Sequence, residues 1–133
     1  MRQILTLFVA VGLVNLLSGI TFAAGDGRLA SVKLEDLTPK DSPLKFKVQK
    51  IGWKYDKIRL WGSVTNSGSE GFQFVSVSFT ALGADGQFLG REKIFVDPHT
   101  LGDGESGDIN NYSLDTDGQV PAIIQFKVAG DSR

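Results

Sequence analysis

Alternation between hydrophobic and polar residues is the dominant pattern of the chain from residue 44 onward. Residues 44–48 place Leu, Phe and Val on one side and Lys on the other, as expected of a strand with one buried face. The phase slips before Ile51 and Trp53, which predicts a β-bulge near Lys50. Residues 58–65 resume the alternation and are predicted to form the next strand.

Further strands are predicted at regular spacing toward the C-terminus. Residues 72–82 form the most apolar segment of the domain. The pair Asp85 and Gly86 is a hairpin signal that leads into a partner strand over residues 88–96. Polar, glycine-containing turn sequences separate these segments from their neighbours. The last two predicted strands cover residues 109–114 and 123–128.

The shared phase of these strands predicts a single buried core and a fold class. Six or seven strands at about ten-residue spacing, without a convincing long helix, are typical of a β-sandwich or small barrel. We therefore expect an all-β, immunoglobulin-like antiparallel β-sandwich over residues 44–133. The residues expected to be buried together are Leu60, Val64, Val77, Phe79 and Phe126.

A polar leader precedes the predicted sandwich over residues 24–43. Scattered apolar side chains and two prolines give it no clear period. Two interpretations remain open: an edge strand over residues 30–34, or a short helix over residues 32–37.

The N-terminus has the pattern of a signal peptide helix over residues 1–23. A short basic start precedes an almost wholly apolar run, and small residues follow at the positions that a signal peptidase reads. We expect cleavage before Ala24 and a periplasmic or secreted mature protein that does not insert into a membrane. The alternative, a retained membrane anchor, requires about 20 spanning residues, and the apolar run is marginal for that length.

Composition narrows the function classes further. The 133 residues contain no cysteine and one histidine, so thiol catalysis, cysteine zinc sites and multi-histidine metal sites are excluded. The formal net charge of −1 gives no long-range attraction for nucleic acid. We expect no nucleic-acid partner for an exported domain.

A family resemblance appears at the second predicted strand. Residues 60–68 read LWGSVTNSG, which resembles the opening motif of FxLYD-type domains, and residues 75–90 resemble their central hairpin. Residues 101–105 read LGDGE and are similar to the L-x-P-G-E loop of that family, although Asp103 stands where the family has proline. The motif that gives the family its name would fall on residues 79–83, where only Phe79 matches. The resemblance implies an immunoglobulin-like extracytoplasmic bacterial domain and carries no catalytic residue.

Three sequence features resemble parts of known binding or catalytic sites. Residues 102–107 read GDGESG, but no predicted helix follows and the acidic side chains would repel a dinucleotide phosphate. The acidic loop from Asp103 to Asp108 leaves calcium binding open. Residues 115–118 read DTDG, which resembles the start of a calcium loop, but no glutamate stands at the twelfth position of that loop. His99 has no nucleophile in a recognisable motif. We therefore assign no catalytic residue, no metal site and no cofactor.

The candidate binding residues lie on the first two predicted strands, which are also rich in lysine. Strand phase places Trp61 on the wet face together with Arg59, and Trp53 and Tyr55 are expected to join them. The alternative is that Leu34 or Leu37 of the leader covers Trp61. We expect a non-catalytic interaction module for an envelope or secreted protein partner. The second hypothesis is a glycan or envelope-polymer binding domain that stacks its ligand on Trp53, Tyr55 and Trp61.

Overall fold

The computed structural model describes residues 21–22 and 29–133 of the chain. The predicted signal peptide lies outside the described residues except for Thr21 and Phe22. No helix in the described part has the length and hydrophobicity that a membrane span requires. The strands are β1 (Thr21–Phe22), β2 (Lys33–Asp36), β3 (Leu44–Lys54), β4 (Lys57–Asn66), β5 (Phe72–Leu82), β6 (Phe88–Phe95), β7 (Ser106–Asp115) and β8 (Ile123–Ser132).

The strands form two four-stranded sheets, which confirms the all-β sandwich. The first sheet has the order β1-β3-β4-β7, and the second sheet has the order β2-β8-β5-β6. Neighbouring strands are antiparallel except for the pairs β1–β3 and β2–β8, which are parallel. In immunoglobulin constant domains the second and third strands lie in opposite sheets. Here, counting from β2, the second and third strands form the hairpin β3–β4, so the likeness concerns architecture and not strand order.

The core lies between the two sheets, where the alternating residues of each strand meet. The ring of Phe46 on the first sheet meets Phe79 and Phe126 of the second sheet edge to face, with centroid distances of 5.6 and 5.2 Å. The five residues predicted to be buried together are all buried. Among the described residues, this core cluster includes Leu29 and Val32, which precede β2, and members of both sheets. We therefore expect the chain from Ala24 to the C-terminus to fold without the signal peptide.

The leader contributes a strand and not a helix. Lys33–Asp36 pairs with residues 123–126 of β8, so the predicted edge strand is confirmed in kind but lies about two residues later than expected. The alternative helix over residues 32–37 is wrong, because backbone pairing to β8 satisfies this segment and Leu34 packs against the core. Leu37 contacts the outer face of the second sheet, where it lines a cleft with Ser78 and Thr80.

The predicted bulge and turns are confirmed. The register of β3 against β4 shifts between Val48 and Lys50. Gly86, with a φ of +80°, closes the β5–β6 hairpin, which needs a left-handed residue at that point. β7 begins at Ser106 and is therefore longer at its start than the predicted strand over residues 109–114.

Candidate functional site

The outer face of the first sheet is strongly basic. Cross-strand pairs place the polar side chains of β3, β4 and β7 on one surface, away from the core. Positive charge outweighs negative charge there, and the excess favours an anionic ligand. The cations on this face are Lys45, Lys47, Lys50, Lys54, Lys57 and Arg59, and the carboxylates are Asp97, Asp108 and Asp115.

A cleft of about 290 Å³ opens on this face and is called the basic cleft below. It is large enough for a few side chains or one compact polar group, but smaller than most drug-sized ligand pockets. Its walls come from three neighbouring strands and combine positive, aromatic and amide groups. The lining residues are Lys50, Gly52, Trp53, Lys54, Arg59, Trp61 and Asn111.

Trp61 lies on the outer face, as its phase predicts, but it is only half-exposed. Its cross-strand neighbour is Lys50, whose Nζ stands 4.6 Å from the centre of the indole ring. A cation over an indole is stabilised by about 0.5–1 kcal/mol at such sites. The alternative that the leader covers Trp61 is wrong, because Leu34 and Leu37 lie on the second sheet. Among the described residues, Trp61 is therefore shielded by the side chain of Lys50 and not by Leu34 or Leu37.

Trp53 does not join Trp61 as an exposed platform, and this expectation was wrong. Its side chain is 9% exposed and belongs to the core cluster, although one part of it also lines the basic cleft. The bulge after Val48 is the physical reason, because one extra residue reverses the facing of every residue that follows. Trp53 therefore pairs with the buried Ile58 on the core side.

Arg59 lines the basic cleft from β4, the strand between β3 and β7. Its cross-strand neighbours are Gly52 and Ser113. Nε of Arg59 is buried and has no hydrogen-bond acceptor among the described residues. A buried donor without an acceptor costs about 1–3 kcal/mol, so a ligand that supplies an acceptor gains that energy.

Asn111 completes the cleft, and sequence analysis did not identify it. The register of β4 against β7 shifts between Leu60 and Gly62, so Trp61 faces an extra residue on β7. Asn111 adopts a φ of +59° at this bulge. Asparagine tolerates that conformation, and bulges commonly redirect a side chain toward a site. The consecutive asparagines at positions 110 and 111, unusual inside a strand, are the signal that could have shown the irregularity.

Tyr55 stands at the tip of the β3–β4 hairpin, beside the basic cleft, and is 76% exposed. Both loop residues, Tyr55 and Asp56, have positive φ values of 54° and 58°. Such two-residue turns favour asparagine and glycine, so a tyrosine here is a strained choice for folding alone. Nζ of Lys54 lies 5.2 Å from the centre of the tyrosine ring. The exposed ring at a strained tip supports a role in contact with a ligand.

Replacing Tyr55 with Asn together with Asp56 with Gly is expected to raise the free energy of unfolding by about 1 kcal/mol. The new residues suit positive φ at both positions, and little buried contact is lost. Chemical denaturation measures the change, and Gly86→Ala is the control that should destabilise the other hairpin by a similar amount. A double variant less stable than the natural chain would show that the turn is not strained.

The glycine-rich and acidic residues near position 102, which the sequence offered as phosphate or calcium sites, have structural roles in a loop. In the glycine-rich stretch 102–107, residues 102–105 form a loop and Ser106 and Gly107 begin β7, so a strand and not a helix follows. Gly102 N donates to the Glu105 carboxylate at 2.6 Å, so this acidic group helps to close the loop. In residues 29–133, no three acidic or histidine side chains come close enough together to hold a metal ion.

His99 belongs to an exposed aromatic cluster that sequence analysis missed. Its ring stacks on Phe74 with centroids 5.6 Å apart, and Phe95 meets it edge-on at 6.3 Å. Phe74 is 52% exposed and has a φ of +53°, in an irregular part of β5 where pairing with β8 shifts register. Strand phase places Phe74 on the polar face but does not reveal this irregularity. The cluster belongs to the second sheet and is separate from the basic cleft.

No protein-family model, curated protein or solved structure matches the chain. The resemblance to FxLYD-type domains therefore stays a prediction from the motifs quoted above.

Proposed function

We propose that this chain is a non-catalytic, exported interaction module whose basic cleft binds an acidic segment of an envelope or secreted protein. The observation that carries the proposal is Arg59, a half-buried guanidinium in the cleft whose Nε is buried without an acceptor among the residues described. Lys50 and Lys54 line the same cleft, so a carboxylate placed there meets three positive groups. Hydrogen bonds between guanidinium and carboxylate are among the stronger ones in proteins.

The supporting groups suit a peptide ligand. Asn111 offers both a donor and an acceptor to a main-chain amide beside the carboxylate. Tyr55, at the hairpin tip, adds exposed aromatic surface of the kind that is enriched at protein interfaces. The acidic ligand side chain would compete with the Trp61 ring for Lys50, so binding is expected to uncover the indole face.

Neutral glycan is the less supported ligand. Sugar binding needs exposed aromatic faces, and of the three candidate platforms Trp53 is buried and Trp61 has Lys50 over its ring. Only Tyr55 presents a largely exposed ring. An acidic polymer remains an alternative ligand that shares the carboxylate chemistry, and the following experiment separates it from a polypeptide.

The proposal is tested by titrating the chain from residue 24 onward with poly-L-glutamate and with polygalacturonate, a carboxylated polysaccharide. Arg59→Ala should weaken poly-L-glutamate binding by about tenfold or more, because a charge-assisted hydrogen bond is worth about 1.5–3 kcal/mol. Arg91→Ala is the matched control, since Arg91 lies on the second sheet near Thr80. Binding should also weaken when the salt concentration rises from about 50 mM to about 500 mM.

Three results would contradict the proposal. Equal weakening by Arg59→Ala and Arg91→Ala would mean that attraction is diffuse and that the basic cleft is not the site. Dextran, titrated in parallel, represents neutral glycan, and binding of dextran without binding of poly-L-glutamate would favour a neutral glycan. Tighter binding of polygalacturonate than of poly-L-glutamate would assign the cleft to an envelope polymer and not to a protein.

A further inference from the structure

The outer edge of β3 is the longest open strand edge among the described residues. β3 lies next to β4 on one side. On the other side, Thr21 and Phe22 of β1 are the only residues of the described part that pair with it, at Lys50 and Ile51. The remaining edges are shorter or covered. β2 has four residues, and β6 and β7 close the opposite side of the sandwich, where Gly90 lies against the carbonyl of Asp115. We call residues 46–54 the β3 edge.

Hydrogen bonds at the start of β3 show which backbone groups point outward. Leu44 N donates to Ser42 Oγ at 3.2 Å, and Ser42 Oγ donates to the carbonyl of Leu44 at 3.3 Å. On the partner strand, Asn66 N donates to Glu105 O, away from β3. Leu44 and Asn66 are therefore a pair without mutual hydrogen bonds. The backbone N–H and C=O groups of successive residues point alternately to the two edges of a strand. The N–H and C=O groups of Phe46 and Val48 therefore point away from β4, like those of Leu44.

The β3 edge already accepts an extended segment. Thr21 and Phe22 run parallel to it as a two-residue strand. Both residues precede the predicted cleavage site before Ala24, so export would remove this two-residue strand from the edge. An unpaired edge presents a row of donors and acceptors that can pair with a strand from another chain.

The side chains beside this edge select the partner. Lys47, Lys50 and Lys54 lie on the outer face of β3 and are exposed, next to the position that an added strand would take. Opposite charges on neighbouring strands are stabilising and like charges are destabilising, by about 0.2–1 kcal/mol for each pair. Edge-to-edge pairing of two copies would place lysines of both β3 strands together, so a second copy is disfavoured.

We propose that the mature protein binds its partner by adding an acidic strand to the β3 edge. The partner strand alternates Glu or Asp with apolar residues: the acidic side chains lie toward Lys47 and Lys50, and the apolar ones lie toward the core. This inference rests on the proposed function, because it places the same acidic segment beside the basic cleft. It adds main-chain pairing as the source of affinity and an extended conformation as the condition for binding.

The test uses the chain from residue 24 onward and synthetic peptides of about seven residues, the usual length of a strand. In the probe peptide glutamate alternates with valine. One control peptide has lysine in place of glutamate, and another carries N-methyl groups on the alternate backbone nitrogens that would face β3. The probe should bind, and both controls should bind at least about tenfold more weakly, because each loses either charge pairing or donors. Amide exchange of Phe46 and Val48 should slow by about tenfold or more in the complex.

A variant pair tests the charge selection. Lys47→Glu should weaken binding of the glutamate peptide and strengthen binding of the lysine peptide by several-fold. Lys93→Glu, an exposed change on β6 of the second sheet, should alter neither.

The outcomes separate this inference from the proposed function. Equal binding of the N-methylated peptide, or unchanged exchange at Phe46 and Val48, would overturn strand addition, whereas loss of binding in Arg59→Ala would still support the basic cleft. Protection of the two amides with no effect of Arg59→Ala would support strand addition and remove the cleft from the site. No binding of the probe up to about 1 mM would overturn strand addition even if poly-L-glutamate binds the cleft.

Discussion

Replacing Phe79 with alanine is expected to lower the free energy of unfolding by about 3–5 kcal/mol. The side chain is 1% exposed and lies at the centre of the sandwich, where it contacts the rings of Phe46 and Phe126 from both sheets. Truncation removes the transfer energy of the ring and leaves a cavity that two packed sheets cannot fill by collapsing. Because a domain of this size is stable by about 5–15 kcal/mol, the variant should be close to unfolding at ambient temperature.

Phe88→Ala is the matched control for this measurement. Phe88 has the same chemistry, lies on the neighbouring strand β6 and is 61% exposed. Its removal should change the free energy of unfolding by no more than about 0.5 kcal/mol, as is usual for surface positions. Urea denaturation of both variants gives the comparison, and a loss below about 1 kcal/mol for Phe79→Ala would mean that Phe79 does not join the two sheets.

Gly62→Ala is expected to destabilise the domain by about 3 kcal/mol, a large effect for a single methyl group. A Cβ at position 62 would lie 2.5 Å from the ring of Phe46 and 2.6 Å from the carbonyl oxygen of Lys47. The carbonyl belongs to the paired backbone of β3 and cannot move without breaking the β3–β4 ladder, so overpacking would displace the strand or the aromatic core. Position 62, next to Trp61, thus needs glycine because the ring of Phe46 packs directly against the backbone there.

Gly102→Ala is the control for the glycine effect. A Cβ at Gly102 would meet the end of the Glu105 side chain at 3.2 Å, and that carboxylate can shift with little strain. We expect a change below about 1 kcal/mol in the same denaturation experiment. If Gly62→Ala were as mild as Gly102→Ala, the close packing of Phe46 on the β4 backbone would be wrong.

The core was predictable from the sequence because strand period decides which side chains face inward. Val77 and Phe79, for example, share a phase that leaves no other face for them. The bulge near Lys50 was also predictable, because one extra residue in a strand shifts the phase of all the hydrophobic positions that follow it. The polar turns formed where their asparagine, aspartate and glycine content predicts.

The candidate site was only partly predictable, because it depends on irregular backbone. Arg59 and Trp61 follow simple alternation and lie on the outer face as expected. Trp53 is not on the outer face because the bulge puts it in phase with the buried Ile51, on the core side. Asn111 and Phe74 owe their positions to register shifts and positive φ values, which no hydrophobic period encodes. The contact of Lys50 with the Trp61 ring likewise depends on exact register across two strands.

The charge distribution gives the domain two different regions. Lysines and Arg59 lie on the outer face of the first sheet, whereas many carboxylates lie in the turns and loops, such as Asp85, Asp103 and Asp117. The two nearly cancel in net charge, yet the local field on the sheet face remains positive. The net charge of the chain therefore does not reveal the positive outer face of the first sheet, which is the feature that supports the proposed acidic partner.

The most direct test of the basic cleft is a nitrogen-15 NMR titration of the chain from residue 24 onward with poly-L-glutamate. Arginine Nε–H, tryptophan indole N–H and asparagine side-chain N–H groups each give separate signals, so three residues of the cleft report independently. The account predicts the largest shifts at Arg59 Nε–H, the Trp61 indole and the Asn111 side chain, with little change at Arg91 Nε–H on the second sheet. Shifts that are equal at Arg59 and Arg91, or that centre on the cluster of Phe74 and His99, would contradict it.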